Sequence, residues 1–156
     1  MVNTSLNFSK INFPVIFHKD LNDCDNLDNL GTVKSKIKVN LKIDKISEVL
    51  FLAQGGISTT IESECQKCCN PLEVELKVQT KIRIRELEDQ LIDEKKRYET
   101  HYQELDNFNI LELISEELQL NFPSIIVCSS CKNLDKNNKY KDQKIRPFKK
   151  IRDLIK

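Results

Sequence analysis

The chain has 156 residues, of which 31% are charged and 39% hydrophobic, and its formal net charge is +1. This length and composition are typical of one soluble globular domain with a modest core. No apolar run approaches the length of a membrane span, and the three glycines exclude a glycine-rich phosphate loop.

Alternating apolar and polar residues predict β-strands in the first half of the chain. Residues 33–43 place Val33, Ile37 and Val39 in one phase and lysines in the other. Further strands are predicted at 49–53, 57–65 and 72–84, with Gly55 and Gly56 read as a hairpin turn. The short connections favour an antiparallel meander, which could close into a barrel.

The second half is expected to be helical or irregular. Residues 86–108 lack a period, which indicates a long loop or a frayed helix. Asn109 is the expected cap of an amphipathic helix over 110–120 that stops before Pro123. The fold class is therefore α+β, with an antiparallel sheet followed by helices.

Three parts of the chain follow from this pattern. Residues 1–131 are expected to form a single α+β domain. Residues 132–146 are polar and without a period, which indicates a flexible basic linker. Residues 147–156 begin with proline and carry an apolar stripe, which predicts a short amphipathic C-terminal helix.

The small net charge conceals two oppositely charged segments. Residues 86–117 contain eleven acidic and three basic side chains, a local charge of −8. Residues 132–156 contain ten basic and three acidic ones, a local charge of +7. The basic segment suits phosphate backbones, but the two segments could equally offset each other within the molecule.

Two cysteine doublets, Cys65 with Cys68 and Cys128 with Cys131, are separated by 59 residues. Each two-residue gap lets a tight turn direct both sulfurs at one ion, and four thiolates are a complete ligand set for structural Zn²⁺. The N-terminus lacks the features of a secretion signal, so a reduced, cytoplasmic compartment is expected and a disulfide framework is disfavoured. Buried or free thiols remain an alternative, and Cys69 leaves open a second spacing within the first doublet.

Several segments together resemble the YceD family, the bacterial large ribosomal RNA subunit accumulation proteins. The matching stretches are 64–68 with Pro71, 111–123, Cys131 and 147–156, in the family's order. The resemblance implies a cytoplasmic factor that supports synthesis, processing or stability of large-subunit (23S) ribosomal RNA, with no known catalytic activity. It implies that Cys65, Cys68 and Cys131 match family cysteines, and that Cys128 lies where many relatives carry histidine.

Binding to ribosomal RNA or to a ribosome-assembly protein is the expected mode of action, with the chain a monomer. The candidate RNA-binding side chains are lysines of the first strand's solvent face and of the basic tail. Lysines on a strand face can instead serve only to keep a sheet edge soluble. The candidates are Lys34, Lys36, Lys38, Lys42, Lys149 and Lys150.

An enzyme is disfavoured by the sequence. His18 and His101 are the only histidines, and neither lies in a recognisable motif with a serine or cysteine. No membrane or small-molecule substrate is indicated. The alternatives to an RNA factor are a zinc-stabilised protein-interaction module and, less favoured, an RNA-processing enzyme.

Overall fold

The architecture is mixed α+β and is dominated by strands. The structure is a computed structural model, and it describes residues 4–22, 24, 27–91 and 99–137. The strands are β1 (Ser5–Leu6), β2 (Val15–Leu21), β3 (Thr32–Val33), β4 (Ile37–Ser47), β5 (Leu50–Glu64), β6 (Pro71–Glu86), β7 (Thr100–Gln103) and β8 (Phe108–Asn109). The helices are α1 (Ile110–Asn121) and α2 (Ser129–Asn137), and 3-10 turns lie at Leu87–Leu91 and Leu105–Asn107.

The main sheet has the order β2-β4-β5-β6-β7, and β3 pairs with β5 beside β4. Neighbouring strands are antiparallel except β6 and β7, which are parallel. Within the described residues β2 and β7 form open edges, so the expectation of closure into a barrel is wrong. The antiparallel β4-β5-β6 meander is the part that the sequence predicted.

The inward phase of the strands is as predicted. Ile37, Val39 and Ile61 are each at most 2% exposed, and Val74 packs half-buried against the same core. Phe8, from the segment after β1, joins the same core. Its ring contacts those of Phe51 and Phe108 at centroid distances of 4.7 Å. The sheet therefore has one core face and one solvent face.

The predicted hairpin turn at Gly55 and Gly56 is wrong. Both glycines lie inside β5, where Gly55 pairs with Leu41 and with Thr80 on the other side. The turn lies instead at residues 48–49, between Ser47 and Leu50. The odd-numbered apolar positions keep one phase on both sides of the glycines, which is the signature of a single strand.

Gly55 is required by the close approach of the β4 backbone. Its φ is +151°, and a Cβ there would lie 2.0 Å from the carbonyl oxygen of Asn40. At Gly56 the nearest atom to an added Cβ is the flexible Gln79 amide nitrogen, at 2.9 Å. The two adjacent glycines therefore have different roles.

The first predicted strand is interrupted. Residues 32–33 form β3, and β4 begins only at Ile37, because residues 34–37 lie opposite just Thr59 and Thr60 of β5. Ser35 bridges the irregular step: its Oγ accepts a hydrogen bond from the Thr60 amide at 2.9 Å. The interruption is thus an irregularity in the pairing, with two more residues on the β3–β4 side than on the β5 side.

The prediction of a loop or a frayed helix over residues 86–108 is only partly right for the described part, because 3-10 turns at Leu87–Leu91 and Leu105–Asn107 flank an unpredicted strand. That strand is β7, whose inward residues His101 and Gln103 are both buried. These polar side chains are bonded to α1, His101 Nδ1 to Glu116 and the Gln103 amide to Glu112. The alternation was invisible in the sequence because the buried positions are polar.

Helix α1 is as predicted. The Asn109 side chain accepts a hydrogen bond from the Leu111 amide at 3.1 Å, and the helix ends two residues before Pro123. Ile110, Leu113 and Ile114 are fully buried against the sheet. The cap and the apolar stripe together fix where the helix starts and which face it buries.

The predictions for the two ends of the chain differ from the structure or lie outside its described part. The sequence did not place β1 or β2, although β2 supplies an edge of the main sheet through its pairing with β4. Helix α2 includes residues 132–137 of the predicted linker, whereas the remainder of that linker and the predicted helix at 147–156 lie outside the described residues. The three domain boundaries stay predictions.

We expect Gly55→Ala to lower the free energy of unfolding by more than about 2 kcal/mol, because the β4 backbone must move to admit the Cβ. Gly56→Ala is the matched control and should change stability by less than about 1 kcal/mol, since a side-chain amide can rotate away. Urea unfolding of both variants measures the difference. Equal losses would contradict the assigned role of Gly55.

A second prediction concerns Glu117, a buried carboxyl on α1. Burial raises its pKa from the ordinary value of 4.5, and the nearby Glu99 and Glu116 carboxylates add to that rise. The folded protein therefore holds the proton more tightly than the unfolded chain, so stability falls as pH rises from 4.5 through the raised pKa.

Glu117→Gln should remove this fall and increase the free energy of unfolding at pH 7 relative to the wild type. Glu104→Gln, at an exposed carboxylate, serves as the control for the loss of one surface charge. Chemical unfolding measured from pH 4 to pH 8 tests this. The assignment would be refuted if the free energy of unfolding of the wild type, relative to that of Glu117→Gln, rose with pH over this range.

Candidate functional site

The first cysteine doublet lies in the connection between β5 and β6. Cys65 follows the last residue of β5, and the turn is closed by the Cys69 amide on the Cys65 carbonyl at 2.8 Å. The Cys65 amide donates to the Asn70 carbonyl at 2.9 Å. Cys69 has a φ of +57°, a left-handed conformation that lets the chain reverse direction directly after Cys68.

The second doublet is brought to this turn by the segment after α1. The Gln66 amide donates to the Ile126 carbonyl at 2.9 Å, and its side chain donates to the Ser124 carbonyl at 3.0 Å. Cys128 immediately precedes α2, and Cys131 lies in the first turn of that helix. Backbone contacts thus join two regions that are about sixty residues apart.

The sulfurs of Cys65, Cys68, Cys128 and Cys131 all lie within 4.8 Å of one another. The Cys68 and Cys128 sulfurs are 3.7 Å apart. A Zn–S distance of about 2.3 Å in a tetrahedron corresponds to a sulfur–sulfur separation of about 3.8 Å. The predicted convergence of the doublets is therefore present, and the cluster could hold a metal ion.

Backbone amides polarise this cluster. The Cys128 amide lies 3.3 Å from the Cys65 sulfur, and together with the amides of Lys67 and Cys68 it lowers the pKa of Cys65 to about 6. By contrast, hydrogen bonding with Cys128 and burial raise the pKa of Cys131 to about 12. Four thiolates this close would repel one another unless a cation lay between them, so the donor set suits a divalent soft metal.

The other two cysteines lie outside the cluster. Cys68 and Cys69 are both exposed, but only the Cys68 sulfur belongs to the converging group, which favours the Cys65–Cys68 spacing over the Cys65–Cys69 spacing that the sequence left open. Cys24 is buried, with its sulfur 3.7 Å from the Leu111 carbonyl. Both Cys65 and Cys131 are also buried, so the cluster is partly shielded from solvent at one side and open at Cys68.

The candidate RNA-binding lysines are only partly grouped. Lys38 and Lys42 lie on the solvent face of β4, whereas Lys34 and Lys36 lie in the irregular step before it. Lys34 pairs with Glu62 at 3.0 Å and Lys42 with Asp44 at 2.8 Å. The further candidates, Lys149 and Lys150, lie outside the described residues.

Sequence reasoning missed two lysines on β6. Lys77 and Lys81 occupy the solvent-facing phase of that strand, on the same side of the sheet as Lys38 and Lys42. The signal was available, because the predicted strand at 72–84 assigns its odd positions to solvent. What the sequence alone could not provide was the pairing register that aligns them with β4.

The two histidines lie on opposite faces of the sheet. His18 is exposed on the solvent face of β2, whereas His101 is buried under α1 and contacts Glu116. They are therefore not parts of one site.

Comparison with protein-family models identifies one match. The model of the large ribosomal RNA subunit accumulation protein YceD covers residues 53–154. The chain belongs to the YceD family. The match includes β6, α1 and both cysteine doublets, and it confirms the resemblance carried by the sequence segments.

Two other comparisons gave no match, one with curated proteins and one with solved structures. The family is described by ribosomal RNA accumulation and not by a chemical reaction. Among the described residues there is no helix with the length and apolar character needed to span a membrane.

Proposed function

We propose that this protein is a non-catalytic factor that supports synthesis, processing or stability of 23S ribosomal RNA in the bacterial cytoplasm. The observation that carries the proposal is the YceD family match over residues 53–154. The separation of His18 from His101 and the absence of a recognisable nucleophile motif support a binding role. Ribosomal RNA or an assembly protein is the proposed partner, and the protein acts as a monomer.

We further propose that Cys65, Cys68, Cys128 and Cys131 hold one structural Zn²⁺. The four-sulfur donor set and the 3.7 Å sulfur separation support this ion, because tetrahedral thiolate sites favour zinc and leave no open position for a substrate. The ion would fasten the β5–β6 turn to the start of α2. Its role is to stabilise the fold and not to take part in a reaction.

A zinc-stabilised protein-interaction module is the second candidate. It is favoured by two exposed apolar side chains, Leu120 at the end of α1 and Ile125 next to the cysteine cluster. Contiguous exposed apolar patches mark protein-interaction sites, and a partner that docks here would cover these two side chains. An assembly protein that docks there would leave the role in ribosomal RNA production intact.

If the metal site is correct, purified protein should contain about one Zn²⁺ per chain, and chelation should lower its free energy of unfolding by more than about 3 kcal/mol. Cys68→Ser should lose most of the metal and most of this effect. The matched control is Cys69→Gly, which removes a neighbouring thiol but suits the left-handed backbone, and it should keep both.

Elemental analysis and thermal unfolding with and without chelator measure these quantities. Protein that binds no zinc after refolding with the metal would defeat the site. So would metal loss in Cys69→Gly as large as in Cys68→Ser.

The functional proposal predicts that depletion of the protein in its native host lowers the ratio of 23S to 16S ribosomal RNA, and that the wild-type chain restores it. Quantification of both RNAs by hybridisation measures the ratio. As a check on the non-catalytic role, purified protein incubated with Mg²⁺ and 23S precursor should leave the RNA intact. An unchanged ratio after depletion would overturn the proposed function.

A further inference from the structure

The solvent side of β4, β5 and β6, called here the outer face, carries four lysines in two pairs. Lys38 and Lys77 lie on either side of Ser58, and Lys42 and Lys81 lie on either side of Gln54. These four residues are called the lysine quartet. The pairing register aligns them although they come from two strands that are far apart in sequence.

The quartet forms the corners of a rectangle. Neighbouring strands are about 4.8 Å apart, so the two lysines of each pair are separated by about 10 Å at the backbone. Four residues along a strand separate one pair from the other by about 13 Å. Four cations spread over such an area can contact several phosphates of one nucleic acid segment.

The area inside the rectangle is polar and hollow. Gly56 lies at its centre, and a depression of about 470 Å³ extends from there to His18, with Lys38 and Lys77 in its lining. The amides of Asn40 and Gln79 face it from both neighbouring strands, and no apolar or aromatic side chain interrupts the rectangle. Its nine positions are Lys38, Asn40, Lys42, Gln54, Gly56, Ser58, Lys77, Gln79 and Lys81.

This composition favours RNA over a protein partner. Cores of protein interfaces are rich in aromatic residues and depleted in lysine, which is the opposite of this surface. Lysines with amide and hydroxyl groups are the usual partners of phosphate and sugar oxygens. Without an aromatic platform for unstacked bases, the surface suits the backbone of helical RNA and provides little sequence selectivity.

Among the described residues, three carboxylates lie near the quartet, and one of them, Asp20 of β2, lies opposite Lys38 and lines the depression without forming an ion pair with it. The other two do not block this use. Asp44 pairs with Lys42 at 2.8 Å and Glu75 with Lys77 at 2.7 Å, and all four side chains are partly or largely exposed. Exposed pairs of this kind contribute only about 0–1 kcal/mol, so a phosphate can replace the carboxylate. Lys38 and Lys81 form no ion pair with any residue in the described part of the chain.

We infer that the outer face binds the phosphate backbone of RNA through the lysine quartet, with the Gly56 depression between the two lysine pairs. The inference rests on the proposed function and names the surface by which the protein contacts ribosomal RNA. It replaces the scattered set of candidate lysines by one aligned group, of which Lys38 and Lys42 were already candidates.

The test measures binding of a fluorescently labelled RNA hairpin with a 20-base-pair stem and of a 20-residue uridine oligonucleotide. Contacts with four phosphates predict that affinity for the hairpin falls about 100-fold between 50 and 200 mM salt. Lys38→Gln with Lys77→Gln should reduce the slope of log affinity against log salt by about 2. The matched control, Lys10→Gln with Lys45→Gln, removes two exposed charges elsewhere and should leave the slope unchanged.

Arginine at positions 38 and 77 keeps the charge and should retain binding, which separates loss of contact from misfolding. The uridine oligonucleotide should bind more weakly than the hairpin and also depend on the quartet. Wild-type protein that binds neither RNA, or a Lys38→Gln, Lys77→Gln variant with wild-type affinity, overturns this inference.

Depletion and rescue experiments in cells distinguish this inference from the proposed function. If depletion lowers 23S RNA and the glutamine variant restores it fully, the outer face is not the functional RNA surface, whereas the proposed function stands. If depletion leaves 23S RNA unchanged while RNA binding in vitro requires the quartet, the proposed function fails and the binding surface stands. Failure of the glutamine variant to restore 23S RNA, with full rescue by the arginine variant, supports both.

Discussion

The unbroken pairing of β5 with β6 is the constraint on which the rest of the structure depends. It runs in one register from Phe51 opposite Ile84 to Glu64 opposite Pro71. Because side chains alternate along a strand, this register decides which residues enter the core and which face solvent. Because this pairing ends at Glu64 opposite Pro71, the connection between the two strands, which contains the first cysteine doublet, lies beyond the end of the sheet. A shift of one residue would expose the core and move the lysines of β6 away from those of β4.

Much of this arrangement could be predicted from periodicity, but its continuity could not. The alternation around Ile37 and Val74 and the cap at Asn109 predicted β4, β6 and α1 because each depends on local residues. The hairpin turn was wrongly predicted at Gly55 because a glycine pair is a common turn signal, but glycine is also found where two backbones approach closely. The unbroken phase of the apolar positions on both sides of the glycines favours the second interpretation, and the position of the Asn40 carbonyl establishes it. Strand β7 was missed since His101 and Gln103 fill positions that apolar residues usually occupy.

The cysteine cluster shows the same division between local and distant information. The spacing within each doublet identified Cys65, Cys68, Cys128 and Cys131 as possible ligands, but spacing contains nothing about a contact between segments 59 residues apart. That contact is made by Gln66, which is bonded through both its amide and its side chain to the segment after α1. Gln66 therefore contributes two hydrogen bonds to this connection in addition to the convergence of the four sulfurs.

The cluster and the basic segment are directly connected along the chain. The segment with a local charge of +7 starts at Lys132, one residue after Cys131, and the Lys132 amide donates to the Cys128 carbonyl at 3.0 Å. Fixing the start of α2 therefore also fixes the position of Lys132, the first of the ten basic residues in this segment. If the basic segment and the outer face both bind RNA, their presence in one chain raises the effective concentration of each for the other's ligand. A structural ion that touches no RNA would then still influence RNA affinity, because it would hold the start of the helix in which the basic segment begins.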